Sequence, residues 1–174
     1  MNLLFALALL PVSLAFAAAP PSVGTKVPGF TSLTAQDGKP VSLKQYAGKW
    51  VVLYFYPKDF TGGCTLEAHG FEKNLKAFAA KKAVVLGVSV DTAESHKDFC
   101  AKEGLNFKLL SDADSEVSTA YGSMMADRPL STHNTFPINP DGKLAKRWLK
   151  VTPAGHAAEV LAALTKLRRH KTRK

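Results

Sequence analysis

The chain has 174 residues, 46% of them apolar and 21% charged, with 23 Lys plus Arg against 14 Asp plus Glu and only two cysteines. A domain of this length buries most of its surface on folding, so a disulfide-riveted mini-protein and a multidomain assembly are both excluded. Ten Phe, two Trp and four Tyr are too much apolar surface for a wholly disordered chain. The net charge of +9 is concentrated at one end: Lys166, Arg168, Arg169, Lys171, Arg173 and Lys174 lie in the last nine positions, leaving 17 basic against 14 acidic residues before them. A near-neutral body with a basic tail fits a soluble enzyme and argues against a nucleic-acid partner, which needs a folded basic stripe.

Residues 1–19 carry no charged side chain, run apolar over 3–10 and 12–16, and end in alanines. That composition predicts a cleaved signal peptide, with cleavage after Ala17 preferred because Pro20 disfavours a cut after Ala19. An uncleaved anchor is opposed by Pro11 and Ser13 and by the marginal length, so no stable membrane insertion is expected after processing. The mature protein is thus expected in a periplasm, an organelle lumen or outside the cell.

Residues 20–26 read as a loose leader, and Phe30 to Leu33, an Asp37-Gly38 turn and Val41 to Leu43 read as a short hairpin. Seven residues from Trp50 to Tyr56 have no polar break but the tyrosine hydroxyls, the signature of a strand covered on both faces, ended by Pro57. A helix over 66–78 follows, with Phe71, Leu75, Phe78 and Ala79 inward and Glu72, Lys73 and Lys76 in water. The run 84–90 predicts a second strand beside the first across that helix. Helices over 94–102 and 114–121, a strand over 107–110, a hairpin pairing 135–138 with 144–151 and a closing helix over 155–167 complete the chain, with 168–174 as a basic tail. One α/β domain over 20–167, a central mixed sheet flanked by helices, is the economical solution.

Chemistry is expected where the first strand meets its helix. Tyr56-Pro57-Lys58-Asp59-Phe60-Thr61-Gly62-Gly63-Cys64 leaves a strand, turns on two glycines and puts Cys64 in a first helical turn, where free N–H groups favour a thiolate. A helix terminus supplies about 0.3–1 kcal/mol, rising to about 2 when partly buried, so further donors are needed. Thr61 is placed to aim its hydroxyl at the sulfur or at an oxygen approaching it. On spacing alone a reactive thiolate and an inert buried thiol stand level. Lys58 and Asp59 are expected to shape the loop. His69 and His96 are expected on helix faces, and no cofactor or metal site is expected, since no His-x-x-x-His or Cys-x-x-Cys pattern occurs.

Pro57, Thr61 and Cys64 match the Pro-x-x-x-Thr-x-x-Cys signature of the peroxiredoxins, and residues 54–67 resemble the monomeric branch called peroxiredoxin Q or bacterioferritin comigratory protein. The likeness extends over about residues 27–165 and includes Gly87-Val88-Ser89, Ser95-His96-Lys97-Asp98-Phe99, Leu109-Leu110-Ser111-Asp112, Ala120-Tyr121-Gly122 and Thr135-Phe136. It implies a thioredoxin-like fold and a monomeric thiol peroxidase acting on hydrogen peroxide and small organic hydroperoxides, with a thioredoxin-like or small-thiol reductant. It also implies that Cys64 attacks peroxide, that Thr61 and the Cys64 amide hold its oxygens, and that Pro57 shields the pocket. Cys100, 36 residues after Cys64, matches the resolving cysteine of some relatives. Glu67 is a candidate for fixing the pocket from behind.

Three positions depart from the family pattern. Gly62 replaces a proline, His69 stands where many relatives carry the resolving cysteine, and His133 occupies the position of the peroxide-polarising arginine, two residues before Thr135. An imidazolium offers two donors against five on guanidinium, and Arg128 is a nearby candidate substitute. Pro137 inside a strand suggests relaxed constraint there. These departures motivate an alternative, a catalytically weakened thioredoxin-fold binding or scaffold protein.

Overall fold

The computed structural model describes residues 18–171; residues 1–17, most of the signal peptide expected over 1–19, and residues 172–174 lie outside the described residues. In chain order the elements are β1 (Leu33–Ala35), β2 (Pro40–Val41), a 3-10 turn (Leu43–Tyr46), β3 (Trp50–Phe55), α1 (Gly62–Ala80), β4 (Ala83–Ser89), α2 (Ala93–Glu103), β5 (Lys108–Ser111), α3 (Glu116–Ala120), β6 (Asn134–Ile138) and α4 (His156–Lys171). Six strands form one mixed sheet in the order β2-β1-β5-β4-β3-β6. β3, β4 and β5 run parallel, while β1 and β6 pair antiparallel with β5 and β3. This is the α/β, thioredoxin-like architecture expected from the sequence.

Strand periodicity sorts the core into two layers. Val52 and Tyr54 of β3 point, with Tyr56 just beyond it, to one face, where Phe71 and Phe78 of α1, Phe99 of α2 and Val160 and Leu164 of α4 cover them. Val51, Leu53 and Phe55 point to the other, against Phe30, Tyr121, Phe136 and Leu144. Gly87 faces Tyr54 across the β3–β4 pair, and a Cβ there would lie 2.6 Å from Leu109 and 2.8 Å from the Tyr54 ring. Glycine at that position lets the tyrosine lie flat on β4.

Several boundaries differ from the sequence expectation. The hairpin pairs Leu33 with Val41, so its first arm lies later than 30–33 and residue 43 already belongs to the 3-10 turn. α1 starts at Gly62, and Ala79 is exposed, one position off the apolar stripe of Phe71 and Phe78. The segment after residue 20 is docked: Gly24 N–H donates to the Leu144 carbonyl at 2.8 Å, and Arg147 donates to the Pro20 and Pro21 carbonyls at 3.1 and 3.0 Å. The arm 144–151 forms two isolated bridges with β6, Ile138↔Leu144 and Thr135↔Trp148, in place of a continuous strand. Pro137 accounts for this, because it has no N–H to give the arm; its carbonyl alone accepts from Ala145 at 2.8 Å, and an extra residue bulges out before Trp148. α4 continues past Leu167 to Lys171, into the basic segment. Among the described residues no helix is long and apolar enough to cross a membrane.

Candidate active site

Parallel strands deliver their carboxyl ends, and the turns leaving them, to one edge of the sheet, where open α/β folds gather their ligands. β3 ends there at Phe55, and α1 begins after the intervening turn with Thr61 as N-cap (φ −93°, ψ 147°). The first intrahelical bond is Thr65 N–H to the Thr61 carbonyl at 2.9 Å, so the amides of Gly62, Gly63 and Cys64 have no partner within the helix. Cys64, third in the helix, is buried with 3% exposure.

The antiparallel register of β6 brings a second group to the same edge. Asn134 pairs with Phe55, so the preceding residue, His133, falls beside the end of β3. Its carbonyl accepts from Val151 N–H at 2.9 Å, which fixes the backbone. The ring then bridges two side chains of α1: Nε2 lies 3.8 Å from Cys64 Sγ, and Nδ1 lies 2.7 Å from Glu67 Oε2. Cys64 and Glu67, three apart, share a helix face, as the bridge requires. Glu67 is fully buried, and its Oε1 has no partner. Burial pushes the Glu67 carboxyl up, against the opposing pull of His133. Burial also pulls His133 down, but the hydrogen bonds and charges of Cys64 and Glu67 outweigh it and raise the imidazole to about 9. His133 is therefore a cation at neutral pH, with both ring N–H groups committed: one toward the sulfur, one toward a buried carboxylate.

The remaining candidates divide. Thr61 Oγ1 donates to the Lys58 carbonyl at 2.9 Å, so its proton is committed to the loop and the hydroxyl is left able only to accept. Neither glycine is demanded by backbone strain: Gly62 has open space around a built Cβ, and one on Gly63 would meet Pro153 at 3.7 Å. Arg128 is bound to Asp127 at 3.0 Å on the exposed surface. Pro57 follows β3 in the turn, and Cys100 is buried on α2 within the core layer that holds Cys64. Burial, with the charges of Asp59 and Glu72, pushes the Cys100 thiol up to about 12. His69 does face outward, paired with Glu103 at 3.0 Å, but His96 is fully buried against Asp59.

Asp59 is the group that sequence reasoning undervalued. It is 3% exposed and accepts from Tyr56 Oη at 2.8 Å, Ser95 Oγ at 2.7 Å and His96 Nδ1 at 2.8 Å. Its own N–H donates to Asp91 at 3.0 Å, and Phe60, in the left-handed region at φ 60°, packs edge-on against Phe99 at 5.1 Å. The loop carrying Thr61 is thus fastened to α2. The only sequence signal was an acidic residue next to a buried strand, facing Ser95-His96 of a later helix.

A thioredoxin-like sheet with one buried cysteine in the first turn of the helix after a central strand, next to a cationic donor, defines a thiol peroxidase. Residues 23–147 match the AhpC/TSA family. The chain is 42% identical over 138 residues to the peroxiredoxin Bcp of Xanthomonas campestris pv. campestris, covering 76% of this chain and 86% of that protein. It is 38% identical over 148 residues to the peroxiredoxin Bcp of Bacillus subtilis, covering 82% and 94%. The solved structure of the Xanthomonas campestris bacterioferritin comigratory protein, described for its alkyl peroxide reduction activity, superposes with a TM-score of 0.78 at 37% identity, covering 83% and 98%. The chain belongs to the peroxiredoxins, in the peroxiredoxin Q and bacterioferritin comigratory protein branch.

Proposed function

We propose that this peroxiredoxin reduces hydrogen peroxide and small organic hydroperoxides through Cys64, with His133 in the role the family gives to arginine. The observation that carries the assignment is the Cys64–His133–Glu67 line, 3.8 Å and 2.7 Å long. The Cys64 thiolate attacks the terminal oxygen of R–O–O–H; the S–O bond forms, the O–O bond breaks, and sulfur gives up two electrons to become a sulfenic acid. Charge develops on the departing RO oxygen, where fixed donors contribute most. The free amides at the start of α1 and His133 Nε2–H supply them. Unlike a guanidinium, the imidazolium can also transfer its proton, so the leaving group departs as ROH. Glu67 then retains the ring by Nδ1. Thr61, an acceptor, receives the hydroperoxide O–H and so orients the attacked oxygen, and Pro57 shields the turn.

Cys100 is proposed to resolve the sulfenic acid to an intramolecular disulfide, which a thioredoxin-like reductant reopens. Bridging needs Cα atoms within about 7 Å, and two cysteines on different helices reach that by local unwinding. The family likeness supports a monomer, and the apolar, uncharged segment 1–19 supports export. One equivalent of peroxide followed by peptide mass spectrometry tests the assignment: Cys64 oxidises far faster than Cys100, and a non-reducing digest links the two. Equal, sluggish oxidation of both would favour the scaffold reading. The Cys64 rate in His133→Asn is expected to fall at least tenfold, and His133→Arg to retain it.

A further inference from the structure

We propose that His96, held by Asp59, takes the thiol proton of Cys100 as Cys100 attacks the Cys64 sulfenic acid. This rests on the reading of Cys100 as the resolving cysteine. That thiol is buried, and burial with the charges of Asp59 and Glu72 pushes it up to about 12, so almost no thiolate exists at neutral pH. Thiolate, not thiol, is the nucleophile. Some group must accept the proton during the step.

His96 stands one helical turn before Cys100 on α2, at the spacing that sets two side chains on one face, and helix side chains lean toward the preceding turn. The ring is fully buried. Asp59 already accepts from Tyr56 and Ser95, and its third close contact is His96 Nδ1 at 2.8 Å, so Nδ1 carries the hydrogen. That tautomer leaves Nε2 with a lone pair, and Nε2 is a buried atom with no hydrogen-bond partner, so the Cys100 thiol does not bond to it in the reduced fold and the two close on each other only as the step proceeds. A buried carboxylate orienting an imidazole whose second nitrogen is free is the arrangement that generates a general base. The peroxide step uses neither Asp59 nor His96 directly; fastening the Thr61 loop to α2 accounts for Nδ1 but not for the free Nε2.

The step balances. Cys100 S–H gives its proton to His96 Nε2, the sulfur attacks Cys64 Sγ, the S–S bond forms and the S–O bond breaks. The departing hydroxide takes the proton back from His96 and leaves as water. Base and nucleophile share one helix, so they stay together when the first turn of α1 loosens to deliver Cys64. The other titratable groups facing this corner are Tyr54 on β3, Tyr56 just beyond it, Asp91 after β4, and Glu72 and Cys64 on α1.

Quenched-flow single turnovers separate the steps. Reduced protein receives one equivalent of hydrogen peroxide; a dione probe counts Cys64 sulfenic acid, and a non-reducing digest counts the Cys64–Cys100 disulfide. In His96→Gln, sulfenic acid forms at the wild-type rate while disulfide closure slows on the order of 100-fold at pH 7. The residual closure rises in proportion to hydroxide, because only bulk base then removes the proton; wild-type closure is less steep, since His96 stands in for hydroxide. Tyr56→Phe, which removes one donor to Asp59 but no base, keeps the wild-type profile. Equal closure rates in wild type and His96→Gln overturn the proposal. So does a uniform slowing with an unchanged pH profile, which a packing role alone produces. Should the variant not fold, a wild-type closure rate rising tenfold per pH unit overturns it without any substitution. Wild-type protein whose Cys64 oxidises without ever linking to Cys100 overturns the resolver assignment, a separate failure from loss of the base.

Discussion

Replacing Gly62 by proline tests whether the start of α1 controls the reaction. Gly62 is the first helical residue, the position proline fits best, because its missing N–H has no partner in the helix and its φ is set for helix. The preceding Thr61, at φ −93° and ψ 147°, already has the extended backbone that a following proline requires. No atom lies within 4 Å of a Cβ built on Gly62, so the side chain starts into open space. Restricting the unfolded chain then stabilises the fold by about 0.4–1 kcal/mol. For a domain of this size that is a rise in melting temperature of about 1–4 °C. If closure of the Cys64–Cys100 disulfide requires the first turn to unwind, the same free energy slows closure about two- to fivefold. Thermal melts of the reduced protein and quenched-flow counting of the disulfide give both numbers. A lower melting temperature, or closure unchanged beside a raised one, refutes the reasoning: the first shows that the turn does not tolerate proline, the second that it does not open.

Three further outcomes follow from titrating and crowded groups. His133 is raised to about 9, so the imidazolium contribution to Cys64 oxidation is present at neutral pH and lost as pH rises through about 9; Glu67→Gln removes a group that raises it and shifts this falling limb to lower pH, whereas His133→Arg abolishes the limb, all readable by stopped-flow competition for peroxide. His156, bonded to Thr135 at 2.8 Å, is held down to about 4, chiefly by burial and also by the charge of His133, against the opposing pull of Glu159. A depressed histidine favours the neutral form in the fold, so its stabilisation is present above about 6.5 and is lost as pH falls toward 4; urea melts should show wild type losing more stability than His156→Gln across that window. Gly122, at φ 58°, would place a Cβ 2.6 Å from the Ala18 carbonyl and Pro20 nitrogen. Gly122→Ala is expected to cost more than about 1 kcal/mol and to release the 18–22 segment to limited proteolysis.

The parts legible in the sequence are those with one physical cause. The runs ending at Phe55 and Ser89 are strands because both faces are covered, and Gly104 ends α2 because its left-handed φ of 66° suits glycine. Cys64 could be placed at a helix mouth, since a buried strand must turn before its helix. What sequence spacing leaves open is orientation and partnership. It brought Thr61 near the sulfur but not the choice of the Lys58 carbonyl for its proton. His133 fell at the arginine position, yet only the pairing of Asn134 with Phe55 fixes its ring between Cys64 and Glu67. His96 read only as a helix-face residue, because its partners, Tyr56 and Asp59, are about 40 positions away. Asp59 became central only once β3 and α2 met.

The alternation of side chains along β3 has an effect on how this molecule tolerates change. Both cysteines, with Glu67 and the three long helices, occupy one side of the sheet, while Phe55, Phe136 and Tyr121 lock the opposite side. Rings there pack at 5.2–5.7 Å and contain none of the reacting groups. The working side can therefore rearrange in every cycle while the other remains a stiff keel. Substitutions beneath the keel should change how long the protein survives, and those above it how fast it turns over.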